Sequence, residues 1–73
     1  MTALDALGDS LDALMNRTDD PRGSLLLGLA SLDAEAGDLS ALGETVARIE
    51  RDGASLGIPA YVATMIRGAI TPA

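Results

Sequence analysis

The chain contains no cysteine, no histidine, no tryptophan and no phenylalanine, and its single aromatic residue is Tyr61. Without cysteine there is no disulfide and no thiolate nucleophile, and without histidine there is no imidazole base. Together the two absences exclude zinc sites built on thiolate and imidazole, and every catalytic triad that needs either group. Lysine is missing as well: the cations are Arg17, Arg22, Arg48, Arg51 and Arg67, set against eight Asp and three Glu for a net charge of −6. That balance argues against nucleic acid or an anionic membrane as the main partner, because both demand clustered cations against phosphates. Long apolar runs are also lacking. The longest after Ser24 covers only 25–30, against the roughly 20 residues needed to span a bilayer. Residues 1–5 carry no basic segment, so no signal peptide and no membrane span are expected, and a cytoplasmic setting is the default expectation.

What is present is aliphatic: thirteen Ala and twelve Leu supply most of the 48% hydrophobic content of a 73-residue chain. That length holds one domain, and a domain this small buries only about 60% of its unfolded surface, which leaves it marginal unless a disulfide, metal or partner contributes. A protein partner is therefore expected, either the chain itself, as a homo-oligomer or filament, or a larger protein. The charge is uneven, with −4 over 1–20, −2 over 21–41 and zero over 42–73. The acidic front reads as a solvated face.

Leu4, Leu7, Leu11 and Leu14 recur at alternating spacings of three and four, with Asp5, Asp9 and Asp12 on the opposite side. That is the pattern of an amphipathic helix, with Thr2 as N-cap and an end near Asn16 or Arg17. Asp20 followed by Pro21 reads as an N-cap with proline in the first helical position. The second helix carries Leu25, Leu26, Leu27, Leu29 and Leu32 around most of its circumference, which implies burial on more than one side. Gly37 reads as its C-terminal cap and Asp38 as the next N-cap. Leu39, Leu42, Val46 and Ile49 form the stripe of a third helix, with Glu44 and Arg48 spaced for an i,i+4 ion pair and Asp52 as a second partner for Arg48. Gly53, Gly57 and Pro59 allow either a break before a fourth helix or one kinked helix, and Ile58, Val62, Met65, Ile66, Ala69 and Ile70 give the closing stripe, ending at Thr71 and Pro72. The expectation is an all-α fold, a small bundle of three or four short helices over about 3–16, 21–36, 39–52 and 59–70, with the second and third as a central antiparallel hairpin. Gly8, Gly28, Gly43 and Gly68 lie inside helical patterns, where they either smooth surfaces for close helix approach or reflect composition alone.

Few motifs suggest chemistry. The run Gly8, Asp9, Ser10 and Leu11 resembles the Asp-Ser-Leu motif of acyl carrier proteins, whose serine takes a phosphopantetheine arm. Here the periodicity places Ser10 in mid-helix, which favours a solvent-facing serine. Asp5, Asp9 and Asp12 on a straight helix offer too few oxygens for calcium. The segment 52–68, with Leu56, Gly57, Ile58, Val62 and Ile66, resembles the turn and second helix of a helix-turn-helix reader, but its polar positions after Pro59 are only Tyr61, Thr64 and Arg67. A broader pattern resembles the small needle subunits of type III secretion systems. It consists of two helices joined by a short turn, the stripe Leu39, Leu42, Val46 and Ile49, and closing isoleucines Ile66 and Ile70. That resemblance implies a filament subunit with a long C-terminal helix, which the Pro59 break interrupts, and the family's glutamine-, lysine- and aromatic-rich texture is absent here.

These readings converge on a non-enzymatic protein with no cofactor, no metal and no catalytic residue, acting through protein contacts as a self-assembling subunit or adaptor. A small regulatory helix-turn-helix-like module is the alternative from another class. The candidate interface residues are Leu25, Leu26 and Leu29 on the second helix and Val62, Ile66 and Ile70 on the last.

Overall fold

A computed structural model describes residues 3–70 and shows four α-helices and one 3-10 turn: α1 (Ala3–Arg17), α2 (Pro21–Ala36), α3 (Leu39–Asp52), the turn (Gly53–Leu56) and α4 (Ala60–Ile70). There is no strand among the described residues. The boundaries expected at Thr2, Thr71 and Pro72 lie outside them.

Local chemistry accounts for the punctuation. At the start of α2, the Asp20 carboxylate accepts the Arg22 backbone N–H at 2.9 Å, with Pro21 in the first helical position, where a missing N–H costs nothing. At its end Gly37 adopts φ +70°, and the Gly37 and Asp38 N–H groups donate to the Ala34 and Asp33 carbonyls at 3.1 Å. A side chain at φ +70° would crowd its own backbone, so glycine suits this cap. Asp38 then accepts the Ala41 N–H at 3.0 Å and starts α3. A second left-handed glycine, Gly57 at φ +77°, ends the 3-10 turn and redirects the chain into α4. Of the two paths that Pro59 allowed, the chain takes the break rather than the single kinked helix.

The connections are short, so successive helices fold back on one another. Ser31 of α2 meets Gly8 and Asp12 of α1 while Ser24 meets Met15, which makes α1 and α2 antiparallel. Asp33 of α2 accepts the Thr45 hydroxyl of α3 at 2.7 Å, and the other end of α3 reaches Gly23 through Leu56, so α2 and α3 are antiparallel too. Arg67 of α4 reaches back to Glu50 of α3. One core results, built on Leu7, Leu11 and Leu14 from α1, Leu26, Leu27 and Ala30 from α2, Leu42, Val46 and Ile49 from α3, and Ile58, Val62 and Ile66 around α4. The Cα radius of gyration is 10.9 Å, close to the ~11 Å of a fully compacted chain of this length.

Two expectations are corrected and one open alternative is divided. Arg48 makes no ion pair among the described residues: Asp52 is bound by Arg51 at 3.3 Å, and Arg48 lies beside Leu25, Leu26, Leu29 and Leu56. An exposed i,i+4 pair is worth only a few tenths of a kcal/mol, and laying an aliphatic stem along apolar surface competes with it. Asp12 is not on a solvated face. It is half-buried, and its carboxylate accepts the hydroxyl of buried Ser31 at 2.6 Å. The helix glycines, finally, divide. A Cβ at Gly8 would come within 3.3 Å of the Glu35 stem and one at Gly28 within 2.9 Å of the Met15 thioether, so both glycines serve the approach of α1 to α2, whereas Gly43 and Gly68 face open space.

Candidate functional site

α2 places leucines on two sides because its five leucines occupy positions that cannot share one stripe. Leu26 and Leu27 point into the core. Leu25, Leu29 and Leu32, spaced i, i+4, i+7, form a row on the outside and are 76, 42 and 65% exposed. This row borders an elongated groove of about 650 Å³ on the outer side of the α1–α2 hairpin. Met15 and Gly28 contribute to its floor, where the missing side chain of Gly28 leaves room for the methionine to lie across α2.

The groove has polar groups at its edge, and they are of one sign. Asp12 and Glu35 line it, together with Ser24 and Ser31, and no arginine does. Ser24 donates its hydroxyl to the Met15 carbonyl at 3.2 Å, and Ser31 is occupied with Asp12 as described, so both hydroxyls are already partnered. On the opposite side of the leucine row, Arg22 and Arg48 border a smaller depression of about 180 Å³ with Leu26 and Leu56. Arg22 is held by Asp20 in an ion pair at 3.1 Å, which keeps the Asp20 carboxyl below the usual carboxylate range.

Of the six residues expected at an interface, the structure brings only Leu25 and Leu29 to this surface. Leu26, Val62 and Ile66 are buried in the chain's own core, and Ile70 packs partly against it. The reason is the fold of α4 back onto α3, which uses the closing isoleucine stripe internally. Two residues of the groove were missed. Leu32 had a signal in the sequence, being one heptad beyond Leu25, while Met15 had none, because its position depends on how α1 crosses α2.

The features weighed for chemistry are distributed over α1 and the segment 52–68. Among the described residues no group of three or more carboxylates lies together in a way that would hold a metal ion. Ser10 is exposed on α1. Tyr61, Thr64 and Arg67 are exposed on α4, where Arg67 binds both oxygens of Glu50, at 2.8 and 3.2 Å, and lowers that carboxyl's pKa. No described helix is long and apolar enough to cross a membrane. No family model matches the chain, and neither a curated protein nor a solved structure is similar enough to count as a match.

Proposed function

We propose that this protein works by contact with another polypeptide, as an adaptor or as a subunit of an assembly, and that the outer face of α2 is where the contact forms. The observation that carries this reading is the leucine row of Leu25, Leu29 and Leu32, left in water by a core that closes without it. Each such side chain gains about 1.5–3 kcal/mol when fully buried, so covering the row has a substantial driving force. Soluble chains that stay alone seldom keep contiguous apolar strips on one side of a helix. The function is non-catalytic in this reading, since the groove is aliphatic and its hydroxyls and one of its two carboxylates are already hydrogen-bonded.

The test is position-dependent photo-crosslinking in the cells that make the protein. A photoreactive residue replaces Leu25 or Leu32 in two variants and, as a control, Ala47, which is exposed on α3 away from the groove. Adducts at the two leucine positions and none at Ala47 are expected. Equal yields at all three positions, or none at any, would refute the assignment of this face.

A further inference from the structure

Charges beside the leucine row are sorted by end. Near its start, Arg22 and Arg48 border the depression that holds Leu25, Leu26 and Leu29. Further along the same α3 side the sign changes: Asp33 and Glu44 border the next depression, and Arg48 stands at the boundary between the two. Arg48 and Glu44 make no ion pair among the described residues, so both charges are open to a neighbour. A uniformly basic helix laid along the row would be repelled at its first end and a uniformly acidic one at its second. The guest that fits carries both signs in the reverse order.

α2 itself, laid antiparallel, has that order. A two-fold axis standing across the middle of α2 sets the α3 side of one copy against the α3 side of the other and exchanges the ends, so Arg22 and Arg48 face Asp33 and Glu44 of the second copy. A parallel pair would instead lay Asp33 and Glu44 against the second copy's Asp12 and Glu35. The leucines share the same centre. Positions 25 and 32 are equidistant from the midpoint of 28 and 29, so Leu25 meets Leu32 of the second copy and Leu29 meets Gly28, where only the pliable Met15 thioether has to give way. We infer that the occupant of the outer face of α2 is a second copy of this chain, packed through antiparallel α2 helices. This rests on the reading of that face as a protein-docking surface and adds the identity and orientation of the occupant. The net charge of −6 opposes pairing only within the roughly 8 Å screening length of physiological salt, a range in which the matched ends attract. A standard interface takes about 800 Å² from each partner, nearly a fifth of the 4337 Å² this chain exposes, so a contact through one helix is a weak one.

Two measurements on the full chain test the pairing and its direction. The first is sedimentation equilibrium from about 1 µM to 1 mM at physiological salt, where the wild-type mass should rise toward twice that of one chain. Arg48→Glu and Glu44→Lys, both at exposed positions, should each weaken self-association by about tenfold, and an equimolar mixture of the two should recover it, because both cross-pairs are then opposite in sign. Bulk charge alone predicts otherwise: Glu44→Lys lowers the net negative charge and would associate more tightly than the wild type.

The second uses the absence of native cysteine. After oxidation, Leu25→Cys mixed with Leu32→Cys should form a disulfide dimer in good yield, and either variant alone should form little. In the antiparallel pair two copies of position 25 are offset by about 10 Å along the axis, beyond the ~7 Å that a disulfide spans between Cα atoms. A wild type that stays monomeric to 1 mM would overturn the inference, as would efficient dimers from each cysteine variant alone or a mixture of charge variants that does not recover. The docking face has a separate test in the cellular crosslinking: adducts at Leu25 and Leu32 whose mass exceeds two chains, beside a monomeric wild type, would keep the face and reject the second copy, whereas no adducts would reject the face.

Discussion

α2 and α3 are of similar length, 16 and 14 residues, and each begins at an aspartate cap, yet they use their aliphatic residues differently. In α3, Leu42, Val46 and Ile49 form one buried stripe, Leu39, expected at its start, is 50% exposed, and Glu44, Ala47, Arg48 and Glu50 are exposed behind it. α2 buries Leu26, Leu27, Ala30 and Ala34 on its inner side and still carries a second leucine row on the outer side. α3 shows what the bundle itself requires of a helix in this position, namely one stripe. The outer leucines of α2 are surplus to that requirement.

The largest test of this contrast lies within α2. Leu27 is fully buried and Leu25, two residues earlier, is 76% exposed. Leu27→Ala should cost about 2–5 kcal/mol, because a core without aromatic rings has little means of filling the cavity. Leu25→Ala should change stability by less than about 0.5 kcal/mol. Denaturant titrations at one protein concentration measure both, and comparable losses would erase the distinction between the two sides of the helix.

A second contrast sharpens the difference by sign. A Cβ at Gly23, on the inner side of α2, would run into the Leu56 carbonyl, and backbone cannot move aside as a side chain can. Gly23→Ala should therefore destabilise by about 1–3 kcal/mol. Gly43, on the open side of α3, faces nothing within 4 Å, so Gly43→Ala should stabilise by about 0.5–1 kcal/mol through helix propensity. Thermal midpoints moving in opposite directions are the expected result, and a shared direction would mean that α2 and α3 do not differ in closeness of approach.

Much of this architecture can be read from the sequence because it is local. The heptad-spaced stripes, the Asp20–Pro21 start, the Gly37 cap and the Asp38 restart all depend on residues within one or two turns of each other. What could not be read depends on the third dimension. Leu25 and Leu26 are adjacent in a run of leucines, and only the placement of α1 and α3 decides that one is outside and the other inside. Gly8 and Gly28 look no different from Gly43 and Gly68 until α1 is laid on α2. The Asp12–Ser31 bond joins residues 19 apart, so no spacing rule announces it.

That bond supplies the third prediction, which separates α1's inner carboxylate from its outer one. Asp12→Ala leaves the hydroxyl of buried Ser31 with only the Gly8 carbonyl, 3.2 Å away, as an acceptor. A loss of about 1–2 kcal/mol is expected, against less than about 0.5 kcal/mol for Asp9→Ala, whose side chain is exposed on the same helix. Adding Ser31→Ala to Asp12→Ala should recover part of the loss, since no hydroxyl is then left under-partnered. A double variant with fully additive losses in the same titration would mean that the two residues act independently.

The smallest effect expected concerns the surface ion pairs, and it needs a difference measurement because two influences of acid oppose each other. Arg22 holds the Asp20 carboxyl below its usual pKa by hydrogen bonding, and Arg67 does the same for Glu50. In the unfolded chain both carboxyls return to the ordinary range near pH 4 and bind protons sooner as the pH falls. Their contribution to stability is therefore present at neutral pH, begins to be lost below about pH 5, and is gone once the pH lies under the lowered folded values. At the same time acid neutralises other carboxylates of a chain at −6 and relieves its self-repulsion, which works in the opposite direction. Wild-type stability alone thus does not report the pairs. The informative quantity is the wild-type value minus that of Glu50→Gln, in which the ion pair is removed and the shape kept. This difference should be positive at pH 7, decline from about pH 5 downward, shrink in high salt, and vanish once the pH lies below the lowered Glu50 pKa. A difference that stayed constant across this range would assign the Glu50 effect to packing of its stem between α3 and α4 rather than to its charge.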